Sequence, residues 1–366
     1  MALIEHTDRG LFCRPGNFYI DPWKPVHKAV ITHAHSDHAR LGNDHYLCHT
    51  DTAPLLRWRL GESIQVQTLS WNEPLWIDGV KLSLHPAGHI IGSSQVRVEH
   101  NGEVWVASGD YKLEDDGISG AFEPVRCHCF ITESTFGLPI YRWKSQDEIF
   151  AAMRRWIHKN QEQGLTSVLL AYSLGKAQRL IDRLDMPLFV HGAIANAQAA
   201  LEAAGRVMRP VRYISPDIPK ETLKGQVVIA PPSADDSPWL KKFPSYSLGV
   251  CSGWMQVRGN TRRRNADAGF ALSDHADWPG LLEAVKATGA SQVLVTHGFQ
   301  AAFSRYLSEE LGLQAAELET AFGDDAEEGP PPGPPPGRAP DETLDLDPDS
   351  ATAPGAIADP DSTMPT

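Results

Sequence analysis

Lys28-Ala29-Val30-Ile31-Thr32-His33-Ala34-His35-Ser36-Asp37-His38 reads as a short apolar strand running straight into a dense polar group. Lys28–Thr32 is expected to be a buried strand, because small and β-branched apolar residues fill it. The His33-x-His35-x-Asp37-His38 pattern that follows puts three imidazoles and a carboxylate on one tight loop. Neutral imidazole and carboxylate are donors that suit zinc or manganese. A single histidine is ordinarily structural or exposed. Four such groups in six residues point to metal ligation.

Working outward, the first 110 residues read as short strands separated by turns. Val80–His85, Gln95–His100 and Glu103–Ser108 are expected strands, with Asn101-Gly102 as a hairpin turn between the last two. Val125–Thr132 is another, on which Cys127 and Cys129, as alternate residues, share one face in a core role. Further candidate ligands stand where strands end: His89 after Pro86-Ala87-Gly88, Asp110 after Ala107-Ser108-Gly109, and His297 closing Leu294-Val295-Thr296-His297-Gly298. His275 lies in Ser273-Asp274-His275-Ala276-Asp277. Loops at strand ends are where an α/β scaffold carries its working groups. Together these side chains supply enough donors for two metals, with one carboxylate able to bridge them.

From about Ser145 helices and strands alternate: helix Asp147–Glu162, strand Val168–Ala171, helix Gly175–Leu184, strand Pro187–Val190 and helix Asn196–Ala204. Strands at Lys224–Ile229 and Tyr246–Cys251 complete a separate small α/β layer. After Ser273 come helix Pro279–Ala287, strand Gln292–Thr296 and helix Gln300–Glu310. The chain carries 33 Lys+Arg against 46 Asp+Glu, a formal charge of -13. Residues 324–366 hold eleven carboxylates, Arg338 as the one base, and 11 of the 28 prolines. This stretch is expected to be a disordered acidic tail. It accounts for -10 of the charge and leaves -3 on the preceding 323 residues, so the acidic total does not argue against a polyanionic partner. Five cysteines in no recognisable framework, an opening that already carries Glu5, Asp8 and Arg9, and no long apolar run lead to the expectation of a soluble, cytoplasmic protein without membrane contact.

In this order the motifs resemble the metallo-β-lactamase superfamily, and within it the nucleic-acid-processing branch that carries an inserted β-CASP domain. The resemblance covers roughly residues 10–315. It implies an α/β fold: an αββα sandwich built from residues 1–140 and 252–323, a small β-CASP-like domain inserted at 141–251, and the tail at 324–366. It gives His33, His35 and His89 to one divalent ion and Asp37, His38 and His297 to another, with Asp110 bridging. Zinc is the expected metal and manganese the substitute. Glu133, in Thr132-Glu133-Ser134-Thr135-Phe136-Gly137, matches the acidic motif that opens the nuclease-specific part, and His275 the later histidine motif. The implied chemistry is phosphodiester hydrolysis by a two-metal-activated hydroxide, with Asp37, Asp110, Glu133 and His275 as the catalytic set. Glu133 orients His275 as proton donor to the leaving sugar oxygen. A spare-ligand role for His275 and a loop-capping role for Glu133 are the competing readings.

For the substrate, Ala171-Tyr172-Ser173-Leu174-Gly175-Lys176-Ala177-Gln178 resembles the β-CASP strand-to-helix element, whose helix N-terminus can accept phosphate. Lys176 either assists there or is a solvated helix residue. Ser252 is a candidate contact for a terminal phosphate, and Trp254 either packs in the core or stacks. Arg258, Arg262, Arg263 and Arg264 suit the backbone of a single strand, or form a solvated charged loop. The spacing and the short insertion most resemble bacterial exonucleases associated with DNA ligase and repair operons. That implies a DNA exonuclease with a 5′-end preference, single-stranded DNA as substrate, and a DNA ligase or repair complex as partner. An RNA-processing endo/exonuclease of the same branch is the competing enzyme, and lactam or thioester hydrolysis a more distant one. A noncatalytic nucleic-acid-binding protein is the non-enzyme alternative.

Overall fold

Two sheets meet face to face in the computed structural model, which describes residues 2–257 and 266–320. The expected tail and the arginines Arg258, Arg262, Arg263 and Arg264 lie outside the described residues. Strands are numbered in chain order. In the first sheet β1 (Ile4–Thr7), β2 (Gly10–Cys13) and β3 (Phe18–Ile20) run antiparallel, and β4 (Lys28–Val30), β5 (His45–His49) and β6 (Val66–Leu69) continue parallel to β3. In the second, β7 (Leu75–Ile77), β8 (Val80–Pro86), β9 (Ser94–His100) and β10 (Glu103–Ala107) form an antiparallel meander. Three parallel strands extend it: β11 (Cys129–Glu133), then β18 (Gln292–Thr296), then β19 (Gln314–Glu317).

Period-two alternation explains the layering. Leu82, Leu84, Val96, Val98, Trp105 and Ile131 of the second sheet meet Leu11, Phe18, Ile20, Val30 and Leu47 of the first in one buried cluster. The alternate residues Val106, Phe130, Val293 and Val295 point the other way, onto the helices Trp278–Thr288 and Gln300–Glu309. On the outer face of the first sheet, Ala29, Ile31, Tyr46 and Cys48 receive Leu55 and Leu56 of helix α1 (Ala53–Leu60). The order of layers is therefore helix, sheet, sheet, helix.

A third sheet is parallel throughout, in the order β14 (Arg212–Tyr213), β13 (Leu188–Val190), β15 (Val227–Ala230), β12 (Thr166–Leu170), β16 (Tyr246–Cys251), β17 (Ala268–Phe270). Parallel sheets are covered on both faces, so their strands read as unbroken apolar runs rather than alternating ones. Leu169 and Ile229 face helices α2 (Gln146–Glu162), α3 (Lys176–Arg183) and α4 (Gly192–Ala203), while Val168, Leu170, Val228 and Val250 pack on the opposite side with Leu240 and Phe243. A capping box between Ser145 and Glu148 starts α2.

Two local readings change. β11 begins at Cys129 rather than Val125, because Cys127 gives its N–H to Thr288 outside the ladder. The two thiols consequently part company: Cys127 packs with the helix-side cluster and Cys129 with the inter-sheet core. The first 110 residues also contain α1, whose Arg57 and Arg59 interrupt the apolar spacing by which a helix is recognised. All five cysteines are free and buried, and burial pushes the thiols of Cys48, Cys127, Cys129 and Cys251 up to about 12. Among the described residues no helix is long and apolar enough to cross a membrane.

Leu84 is fully buried between the two sheets. Leu84→Ala should destabilise the fold by about 2–5 kcal/mol, read as a lowered denaturation midpoint, because both sheets are too constrained to collapse on the cavity.

Candidate metal centre

The C-terminal ends of adjacent parallel strands assemble the site. β10, β11 and β18 lie side by side, and each releases a functional side chain just at or past its end: Asp110, Glu133 and His297. β4 of the facing sheet delivers His33, His35, Asp37 and His38 in the same way. Gly109 makes the approach possible. It sits at a φ of +57°, and a Cβ there would stand 2.7 Å from Cβ of Thr32, so no other residue brings Asp110 this close to the His33 loop. His297 itself holds the left-handed conformation at a φ of 54°, a strained posture for a histidine that turns its ring inward.

Asp110 lies at the centre. Its Oδ2 is 3.4 Å from Nε2 of His33, 3.5 Å from Nε2 of His38 and 3.8 Å from Nε2 of His89. Nε2 of His89 is 3.0 Å from Nδ1 of His35, and Oδ2 of Asp37 is 3.5 Å from Nε2 of His38. The His38 and His297 rings stack with centroids 5.2 Å apart. Donor atoms converge in four overlapping groups, each able to hold an ion: His33, His35, His89 and Asp110; His33, Asp37 and His38; His38, Asp110 and His297; and Asp110, Glu133 and His275. Nε2 of His33, Oδ1 of Asp37 and Oδ1 of Asp110 are buried without a hydrogen-bond partner among the described residues. Orphaned polar atoms at this depth are costly, and a cation satisfies all three at once. The residues fit a two-metal site.

The protonation states agree. Burial, reinforced by neighbouring imidazoles, holds His33 and His89 well below the usual histidine range and His297 down at about 3. These rings are neutral, which is the form that binds metal. Burial also opposes charge on His38, but Asp37, Asp110 and Asp21 overcome it and push its pKa up to about 10. Three carboxylates around one ring call for positive charge, which a divalent ion would supply.

Supporting residues escaped the sequence reading. Asp21, buried after β3, places Oδ2 at 2.8 Å from Nδ1 of His38 and accepts both the N–H and the hydroxyl of Thr32. A carboxylate on the far nitrogen of a ligating histidine fixes its tautomer and orientation. Its sole sequence signal is an Asp-Pro turn after an alternating strand. Asp274, next to His275, accepts Nδ1–H of His89 through its backbone carbonyl at 2.9 Å.

Glu133 and His275 face each other, with both carboxylate oxygens within 3.0 Å of Nδ1. Glu133 also accepts the N–H of Tyr111, and although burial opposes its charge, His275 and these hydrogen bonds hold its carboxyl below the usual range. Lys176, read from the sequence as a phosphate contact or a solvated helix residue, is 2% exposed and points its ammonium at Asp274, 3.1 Å away. Ser252 is buried and accepts the N–H of Trp254, starting a short 3-10 turn. Trp254 is half-buried and packs against Phe136 and Tyr141, with centroids 5.1 and 5.7 Å away.

No model of a known protein family matches the chain. A probable DNA ligase of Opitutus terrae is 32% identical over 313 residues, which are 84% of this chain and 30% of that protein. Endoribonuclease YSH1 of Yarrowia lipolytica is 27% identical over 123 residues, 33% of this chain and 15% of that protein. Cleavage and polyadenylation specificity factor 73 of Drosophila melanogaster is 27% identical over 124 residues, 33% of this chain and 18% of that protein. The chain thus spans less than a third of the length of these relatives. A crystal structure of a protein of unknown function from Enterococcus faecalis V583 superimposes with a TM-score of 0.55 at 13% identity, covering 81% of this chain and 78% of that one, a likeness of fold. The chain is similar to named endoribonucleases over about a third of its length, and its mixed α/β fold with clustered ligands is consistent with the expected metallo-β-lactamase/β-CASP-like fold. The ligand cluster and this similarity support a metal-dependent hydrolytic enzyme.

Asp21→Asn keeps the shape of the side chain but removes the charge behind His38. It should weaken zinc binding about 10–100-fold, measured by competition with a chromophoric chelator.

Proposed function

We propose that this chain is a metal-dependent nuclease that hydrolyses phosphodiesters. His33, His35 and His89 would hold one divalent ion and Asp37, His38 and His297 a second, with Asp110 available to both. Zinc is the metal we assign, with manganese as its substitute. The observation that carries the reading is the pairing of a two-ion ligand set with a separate Glu133–His275 dyad. Ions bound there neutralise phosphoryl oxygens and acidify water. The rest falls to side chains. Glu133 accepts the Nδ1–H of His275 and so orients the imidazolium, whose Nε2–H can protonate the departing sugar oxygen. That pairing is why we place His275 outside the ligand set, although it converges with Asp110 and Glu133 closely enough to bind. We assign the third sheet, β17 (Ala268–Phe270) included, and helices α2, α3 and α4 to an inserted β-CASP-like layer, which therefore takes in chain beyond the boundary at 251 expected from the sequence, and residues 1–140 and those after β17 to the catalytic sandwich.

The relatives lean towards RNA. Most of those with a named activity are endoribonucleases, including YSH1 of Yarrowia lipolytica, Schizosaccharomyces pombe and Candida albicans. Internal RNA cleavage is therefore better supported than the DNA exonuclease expected from the sequence. One observation favours DNA as a second reading: the match to a probable DNA ligase runs through 84% of this chain. Under that reading a ligase or repair complex is the partner, single-stranded DNA the substrate, and a 5′ end the point of entry.

End-labelled single-stranded RNA and matched DNA, each with free or blocked termini, separate the two in zinc and in manganese. Internal RNA cuts support the first reading, and stepwise shortening of DNA from one end overturns it in favour of the second. Metal-loaded protein that cuts neither is a binding protein. Asp110→Asn should lose both ions, whereas His275→Ala should keep them and slow cleavage about 10²–10⁴-fold. Equal metal loss in the two variants contradicts the assignment of His275.

A further inference from the structure

Which nitrogen of His89 faces the other ligands is decided from outside the metal centre. A neutral imidazole carries one ring proton, and the carbonyl of Asp274 at 2.9 Å accepts it from Nδ1, leaving the Nε2 lone pair towards His35 and Asp110. The position of that carbonyl depends on helix α3. Lys176 reaches Oδ2 of Asp274 at 3.1 Å, and Nη1 of Arg179 reaches Oδ1 at 3.4 Å. The same Nη1 binds the carbonyl of Ser273 at 2.6 Å, while Nε of Arg179 binds Oε1 of Gln146 at the start of α2 at 2.7 Å. Asp274, Lys176 and Arg179 are each at most 2% exposed. Burial opposes ionisation of Asp274, but Lys176 and Arg179 keep its carboxyl below the usual range.

From the other side, Gly88 seats the His89 loop against residues 112–116. Its φ is +76°, and a Cβ there would stand 2.3 Å from the Lys112 carbonyl. Lys112 is itself buried and paired with Asp116 at 2.7 Å. A buried charge is directional when it is hydrogen-bonded, and the Arg179 guanidinium spans two carbonyl oxygens and a carboxylate.

We infer that Lys176 and Arg179 are positioning residues: through Asp274 they fix the tautomer and direction of His89, so that helix α3 of the third sheet sets the zinc affinity of the ion held by His33, His35 and His89. The inference rests on the metal centre proposed above. Lys176 acts here as a clamp on the ligand loop.

The test is zinc binding to the full chain, by competition with a chromophoric chelator, scored per folded molecule, with ¹⁵N shifts of the His89 ring reporting its tautomer. In Lys176→Met and in Arg179→Lys, one of two zinc ions should weaken about 10–100-fold, the other should bind as in the wild type, and metal-free His89 should lose its pure Nδ1–H signature. Lys176→Arg, which keeps the charge, should recover most of the affinity. Arg183→Ala removes the surface pair between Arg183 and Asp147, which joins α3 to α2 elsewhere, and should leave both ions unchanged. If Lys176→Met does not fold, Arg179→Lys decides alone. Wild-type affinity for both ions in these variants, or equal weakening of both ions, overturns the inference. Because the readout is metal rather than turnover, an inactive wild type that binds two zinc ions counts against the proposed function only. A wild type that binds none overturns both.

Discussion

Burial of the Asp110 carboxylate among imidazole nitrogens is the constraint around which the molecule is arranged. Burial drives its pKa up to about 8 even though the His38 charge pulls the other way, and a carboxylate so placed needs cationic company. Three of the surrounding rings are held neutral and offer lone pairs, not charge. The centre is thus rich in donors and poor in cations. Strand ends from both sheets, a glycine pressed on Thr32 and a histidine in a left-handed turn all serve to keep that imbalance in one place.

Much of this was legible in the sequence because the groups involved sit beside strong local signals. His33, His35, Asp37 and His38 crowd one loop after an apolar strand, and His89, Asp110 and His297 each follow or precede a glycine at a strand end. Tyr246–Cys251 and Gln292–Thr296 were readable to the residue, being continuous apolar runs between turns. Illegible residues are those whose role depends on distant company. Asp21, Asp274 and Arg179 look like ordinary surface charges in one dimension, because nothing local says that each is buried against a partner from another layer. Lys176 was visible as a helix-start lysine, but its burial follows from Asp274, nearly a hundred residues away. Cys127 was misjudged for a smaller reason: strand pairing starts two residues after it.

The third sheet is a working part of the site. Its α3 helix reaches the loop that carries His275 and that holds the His89 ring through the Asp274 carbonyl, and its parallel strands give that helix a floor packed on both faces. The endoribonucleases are similar over about a third of this chain, while the probable DNA ligase is similar over most of it.

The pairing of β11 with β18 has a consequence for how the protein is made. These neighbours in one sheet are separated in the chain by the whole third sheet. During synthesis, at about 5–20 residues per second, β11 waits with an unpaired edge while that sheet is completed from local contacts. His297 leaves the ribosome after all the other candidate ligands, so the nascent chain cannot acquire its full ligand set early. A bare strand edge in the waiting intermediate is an invitation to wrong pairing, and the mostly local parallel layer that emerges next gives the chain something to build in the interval.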